Sequence, residues 1–300
     1  MAMSTLRIGA CSWKYPSWEG LVYSQAHNIN YLAEYAKRFR TVEVDQWFWS
    51  LFDLDQIGMP RAETVAEYRE SVDDAFRFTI KAPNAITLTH FYRKGSQRGS
   101  GKNPYFLSVT LLEDFLALIG PLKDLTGSVV LQFEYLNKQK MSGIDEFLDR
   151  LGTFLNQLAG SRAAQWPLSM EIRNPQYLTP AYVDLLDEHG LSPVYCHGYY
   201  MPPAQEVFPE RRGSLTGPSV VRLLGTDRQG IEKETGKRWN RVVSPRDDEL
   251  PQIADLAIEL LAGGDVYVNV NNHYEGCAPE TIEKLERLID ERRERFSQIR

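Results

Sequence analysis

Apolar and polar positions along this chain switch repeatedly between two periods. Thr41, Val42, Glu43, Val44 and Asp45 alternate strictly, which predicts a strand with one apolar face and one carboxylate face. The strand runs straight into Trp47, Phe48 and Trp49, more aromatic surface than proteins leave wet without a reason. It is read as buried, with its carboxylates and aromatic end lining a pocket mouth; a surface edge strand ending in a core anchor is the alternative. Residues 6–10 form a short apolar stretch that enters an aromatic loop, Cys11 to Trp18. Residues 76–81 alternate again and stop before Pro83, whereas residues 128–132 are nearly all apolar, as a parallel sheet covered on both faces requires. Further strands are predicted at 168–173, 193–196, 219–223 and 265–270.

Helical spacing fills the gaps between them. Leu32, Tyr35, Ala36 and Phe39 follow a capping Asn30, and Val65, Tyr68 and Val72 share one side of a second helix. Helices are also predicted over 111–119, 144–158, 180–189 and 248–261. A last one opens at Pro279 beside Glu280, with Ile282, Leu285, Leu288, Ile289 and Phe296 inward. Residues 198–217 read as a loop without a full helix. Eight strands alternating with helices predict an α/β fold, a TIM-type (β/α)8 barrel forming a single domain over residues 1–300, irregular after the sixth strand. No glycine-rich dinucleotide turn follows the first strand, which disfavours a doubly wound sheet.

Composition changes this picture little. The chain has 300 residues, 43% hydrophobic and 25% charged, enough for a large core. A formal net charge of -6 argues against a generally basic nucleic-acid coat. Cys11, Cys196 and Cys277 are too few for a disulfide scaffold and fit a reducing compartment. Met1 to Arg7 is no basic start to an apolar run, and no stretch is long enough to span a bilayer. A cytoplasmic location without membrane contact is expected; protein partners are not specified.

In such a barrel the working side chains sit where strands end. Those positions hold Trp13, Tyr15 and Trp18; Glu43 and Asp45; Lys81 and His90; Gln132 and Glu134; Glu171 and Arg173; His197; Arg222; and Asn269, Asn271, Asn272 and His273. The opposite strand ends carry no comparable set. Two readings follow. Glu43, Glu171, Arg173, Arg222 and Lys81 form a self-satisfied ion network, or some of the cations bind a phosphate or carboxylate while Glu43 or Glu171 acts as general base.

Residues 8–15 (Ile-Gly-Ala-Cys-Ser-Trp-Lys-Tyr), Trp18-Glu19-Gly20, residues 41–44, Lys81-Ala82-Pro83, Met170-Glu171-Ile172-Arg173, Val221-Arg222-Leu223 and Asn271-Asn272 resemble the YecE-like family, domain of unknown function family 72. The blocks follow the family's order over almost the whole chain. The resemblance implies a TIM-type barrel without an established activity; more distantly the chain is similar to endonuclease IV and sugar isomerases, which implies a nucleotide or nucleic-acid ligand. Asn174, Leu224, Asn84, Phe133-Glu134 and Asp45 depart from the family pattern. Histidine is usual at the first two, so a metal site like that of endonuclease IV is disfavoured.

Two loops favour a phosphate-bearing ligand. Residues 91–104 contain Arg93, Lys94, Arg98 and Lys102 without an acid, and residues 222–241 add Arg228, Lys233, Lys237 and Arg238, diluted by Asp227, Glu232 and Glu234. Trp13, Tyr15, Trp18, Trp47, Trp49 and Trp239 offer rings for bases or sugars. No tight ligand motif joins His90, His197, His273, Glu43, Glu171 and Asp45, so no metal or other cofactor is expected. The leading expectation is a protein that binds a phosphate-bearing small molecule or nucleic acid, with phosphodiester hydrolysis as the reaction. A carbohydrate hydrolase or isomerase using Glu43 and Glu171, and a non-catalytic binding module, are the alternatives.

Overall fold

A computed structural model describes residues 4–298 apart from 26, 54–55, 92–100 and 213, with side chains left out at 52–53 and beyond 294. Eight parallel strands close into a barrel: β1 (Leu6–Ala10), β2 (Thr41–Val44), β5 (Arg77–Lys81), β6 (Thr126–Gln132), β7 (Leu168–Glu171), β8 (Ser192–Gly198), β9 (Ser219–Gly225) and β10 (Val266–Val270), with β10 closing on β1. A hairpin of β3 (Leu51–Asp53) and β4 (Gln56–Ile57) projects from the loop after β2. The alternation that marked the strands is thus the alternation between barrel interior and helical layer.

The helices sit where the spacing placed them, with one addition. They are α1 (Tyr31–Ala36), α2 (Ala62–Glu70), α3 (Val109–Leu118), α4 (Ile144–Ala159), α5 (Pro180–Glu188), α6 (Arg228–Thr235), α7 (Leu250–Leu260) and α8 (Ala278–Gln298). Asn30 Oδ1 accepts the N–H groups of Leu32 and Ala33 at 3.1 and 3.0 Å and so caps α1. Inside the stretch read as a charged loop, α6 forms because Asp227 caps it through Gly230 N–H at 2.8 Å and Gly236 ends it in the left-handed conformation. The step from β8 to β9 holds only a short turn of 3-10 helix (Ala204–Glu206) among its described residues, as expected.

Two apolar bodies result. The larger packs Val42, Val44, Ile80, Leu131, Met170 and Leu223 outward against the helices. Val130, Val194, Cys196, Val220, Leu224 and Tyr267 pack with one another inside the barrel, with Tyr199 and Met201 against them. The strands approach so closely that a Cβ on Gly9 would lie 2.0 Å from the Thr41 carbonyl oxygen, so only glycine fits there. No helix among the described residues is long and apolar enough to cross a membrane.

Candidate functional site

Above the interior plug, the inward positions of the strands change from apolar to charged. Arg222 on β9 lies at the centre. Its Nε and Nη2 donate to the two carboxylate oxygens of Glu43 at 2.6 and 2.7 Å, and its Nη1 donates to Glu171 Oε2 at 2.6 Å and to Gln132 Oε1 at 3.3 Å. Asn269 Nδ2 completes the ring, donating to Thr79 Oγ1 at 2.9 Å and Glu43 Oε2 at 3.4 Å. Glu43, Glu171 and Arg222 are 1, 0 and 3% exposed. Burial pushes the Glu171 carboxyl up, but Arg173, Arg222 and Lys81 together outweigh it and hold the group at about 2. Glu171 is therefore ionised at neutral pH and poorly suited to take or give a proton.

Arg173 and Lys81 are less completely satisfied. Arg173 Nη2 forms an ion pair with Glu171 Oε1, but both that oxygen and Arg173 Nε are buried without a hydrogen-bond partner. The pair is electrostatic contact without alignment, so we count it as charge neutralisation and not as a hydrogen bond. Tyr199 covers the guanidinium, 5.7 Å from its ring centroid, held there at φ 51° directly after Gly198. Lys81 Nζ stands 3.9 Å from the Phe48 ring centroid, a cation–π contact. Among the described residues no carboxylate forms an ion pair with it. Burial, and then the Arg222 charge, pull its ammonium below the ordinary lysine range against the opposing pull of Glu43, Glu171 and Asp45.

Asp45, at the outer edge, is solvent-exposed as a residue, yet its carboxyl is raised, by desolvation first and Glu43 second. Water reaching it moderates that rise. It lines a cavity of about 290 Å3 with Ser12, Trp13, Lys14 and Tyr68. Tyr15 lies beside Ser12 and Asn272, its phenol pushed up by burial and then by Asp45. Cys11 and Cys196, which sequence reasoning set aside, both sit in the electrostatic reach of Arg222 and Glu43; burial pushes both thiols up, Cys196 to about 12, so they are inert.

Other positions singled out in the sequence are engaged elsewhere. Trp18 is wholly buried and its Nε1 donates to the Trp239 carbonyl at 2.7 Å. Trp13 packs edge-on against Tyr68 at 5.1 Å, and Trp47 and Trp239 are buried as well. The exposed rings at the strand ends are Trp49, Tyr135 and Tyr200. His90 bonds Thr89 Oγ1 at 3.0 Å and lines a separate cavity of about 340 Å3 with Lys102, Lys138 and Arg150. Asn271 accepts from His273, and Asn272 Oδ1 accepts the Ala278 N–H at 2.9 Å, fixing the start of α8. His273 Nε2 meets Glu232 at 3.0 Å. Glu232 is itself held at about 2 by hydrogen bonds from Arg228 and His273, and it also pairs with Lys237 at 3.6 Å. Two of the four cations read into residues 222–241, Arg228 and Lys237, thus share the one carboxylate of Glu232. Arg93, Lys94 and Arg98 of the other basic loop, and the Phe296 side chain, lie outside the described residues.

Sequence reasoning missed a second network. His197 Nδ1 accepts the Ala204 N–H at 3.3 Å and its Nε2 donates to Glu249 at 2.9 Å. Glu249 also accepts from the Tyr274 hydroxyl and from Arg246, each at 2.8 Å. Burial raises this carboxyl, but Tyr274, His197 and Arg246 together bring it below its usual range. Glu249 immediately precedes α7, and nothing in its local spacing marks it. Asn84 and Asn174 serve as loop staples: Asn84 Oδ1 accepts from Ser50 and Leu51, and Asn174 bonds both backbone groups of Leu136. Among the described residues no group of three His, Cys, Asp or Glu side chains converges to hold a metal ion. A larger cavity, about 520 Å3, opens at the opposite barrel end, but its Arg7, Arg38 and Arg40 are already paired with Asp265, Glu283 and Asp73. Three of the six buried polar side-chain atoms without a partner among the described residues, Glu171 Oε1, Arg173 Nε and Asn269 Oδ1, lie at the C-terminal end of the barrel.

Comparison with known proteins agrees with this architecture. The YecE proteins of Escherichia coli K12 and O157:H7, each a UPF0759 protein, are 26% identical over 185 residues, 61% of this chain and 54% of theirs. The chain thus spans about half the length of the curated relatives it matches. A DUF72 family protein from Thermotoga maritima shares 21% identity and a TM-score of 0.64 over 95% of this chain and 99% of its own. A DUF72 family protein from Enterococcus faecalis V583 shares 19% and 0.63, over 95% and 96%. At these identities the likeness establishes the fold. The family profile described as "Protein of unknown function DUF72" matches residues 7–299, and the chain belongs to this YecE-like family.

Proposed function

We propose that the C-terminal mouth binds a small phosphate-bearing or similarly anionic ligand through Arg173, with Lys81 beside it, while Glu43 and Glu171 serve to fix Arg222. The reading rests on one observation. Arg173 Nε is buried without a hydrogen-bond partner, and a buried guanidinium donor left unmade is costly enough to be retained for a partner that arrives later. An oxyanion is the natural acceptor, since the guanidinium fork suits phosphate and carboxylate. Glu43 and Glu171 both bind Arg222, and Glu171 also pairs with Arg173, which disfavours them as the acid–base pair of a glycosidase or phosphodiesterase. A small ligand is favoured over nucleic acid because Arg228 and Lys237 already pair with Glu232.

Calorimetric titration with inorganic phosphate and nucleoside monophosphates tests the proposal. Arg173→Gln should lower affinity by roughly ten- to a hundredfold, the worth of about 1.5 to 3 kcal/mol for a hydrogen bond to a charged group. Unchanged affinity in that variant, or no binding of any anion to the native protein, sinks the reading. An oligonucleotide whose affinity falls steeply with salt would instead restore the nucleic-acid alternative.

A further inference from the structure

We infer that the cavity at His90, beside the barrel mouth, is a second anion site, and that it takes a small molecule bearing a diphosphate or longer phosphate chain. This site shares no residue with the mouth and does not depend on Arg173. It measures about 340 Å3 and lies between the loops that follow β5 and β6 and the start of α4. Lys102, Lys138, Lys140 and Arg150 line it, against the single carboxylate of Glu146. The chain has 40 acidic and 34 basic residues, so a wall of four cations and one acid runs against the overall balance. Like charges around one cavity repel, and a bound anion removes that repulsion.

Contacts within the wall decide which cations are free. Arg150 Nη2 pairs with Glu146 Oε1 at 2.6 Å, and Glu146 Oε2 accepts the backbone N–H and the hydroxyl of Ser142, each at 2.7 Å. Lys140 pairs with Glu134 Oε2, and Glu134 Oε1 accepts the N–H and hydroxyl of Thr89 at 3.3 and 3.1 Å. Lys102 and Lys138 have no carboxylate partner among the described residues. The Thr89 hydroxyl gives its proton to Glu134, so it accepts from His90 Nδ1, 3.0 Å away. His90 Nε2, without a partner among the described residues, is left for a ligand. Glu146 already takes the guanidinium fork that suits a carboxylate. What remains are two ammonium groups, point charges that bind phosphate without a fixed plane. They come from loops after two different strands, which matches an anion whose charge is spread over more than one phosphoryl group. A cavity of about 340 Å3 has room for such a molecule.

The test is lysine footprinting on the full chain at neutral pH: brief acetylation with and without diphosphate, then peptide mapping. Diphosphate at about ten times its dissociation constant should slow acetylation of Lys102 and Lys138 roughly tenfold by mass action, and leave exposed Lys233 unchanged. Lys102→Gln combined with Lys138→Gln should weaken diphosphate binding roughly tenfold in calorimetry. Arg173→Gln should leave the footprint intact. No protection at either lysine, or equal protection of Lys233, overturns the site, and mapping of the native chain decides this even if a variant does not fold. Protection lost in Arg173→Gln overturns it too, because the anion then sits in the mouth. Citrate protecting as well as diphosphate overturns the phosphate assignment. Adenosine diphosphate protecting at lower concentration than diphosphate assigns a nucleotide, and the reverse a free phosphate chain. Failure at Lys102 and Lys138 leaves the mouth reading standing, since that one is decided by Arg173→Gln.

Discussion

Arg222 and Lys81 are buried cations at the same end of one barrel, and they are satisfied in opposite ways. Arg222 has Glu43, Glu171 and Gln132 around a rigid fork, so each guanidinium nitrogen has an acceptor. Lys81 has a ring face and no carboxylate in ion-pair contact among the described residues. The difference separates charge that closes a structure from charge held against its own solvation, and the latter is where a ligand or a reaction gains most.

Opposite stability effects are the sharpest way to break that contrast. Arg222→Met strands two buried carboxylates and should destabilise the fold by about 3 to 5 kcal/mol, the usual cost of breaking a buried pair; a loss below 1 kcal/mol in urea unfolding would refute the closing role. Glu171 extends the test to pH. Its folded carboxyl at about 2 lies below the unfolded value, so its stabilisation is present above about pH 4.3 and is lost as pH falls toward 2, on the order of 3 kcal/mol in all. Glu171→Gln should flatten that part of the acid unfolding curve, and an unaltered curve would show the carboxylate is not so held.

Lys81→Met should act in the other direction and raise stability at neutral pH, as removal of a strained functional group does. A lysine whose folded pKa is depressed costs stability below that pKa, and the cost is relieved as pH rises toward the unfolded value. Thermal melts from pH 7 upward should therefore show a rising contribution in the native chain that the variant lacks. Phosphate affinity should fall over the same pH window, because Lys81 sheds its charge there. As the smallest effect, removing the exposed end of the ion pair between Lys37 and Glu34 should change stability by less than about 0.5 kcal/mol.

Much of the fold was legible because barrel strands carry their burial in their spacing. Residues 128–132 read as a covered strand, and Asn30 read as a cap, for reasons that act within a few residues. α6 was not legible: its mean character is polar, and its start and end depend on Asp227 and Gly236 turns that a charge-rich loop would also contain. The candidate site was half legible. Glu43, Glu171 and Arg222 were named together from strand ends, but Trp13, Trp18 and Trp47 were read as mouth residues although they are packed inside. Ring side chains next to strand ends look alike in sequence whether they face a helix or the solvent.

The order of residues by itself determined eight strands, their helical separators and the end of the barrel where polar groups gather, because periodicity and caps are local. Which of those groups neutralise one another was decided only by closure of the sheet. Arg222 meets Glu43 across 179 positions of chain, Tyr199 reaches Arg173 from a neighbouring loop, and Lys81 is left over a ring. Such pairings depend on register around a closed cylinder, a long-range quantity that no short stretch of chain contains.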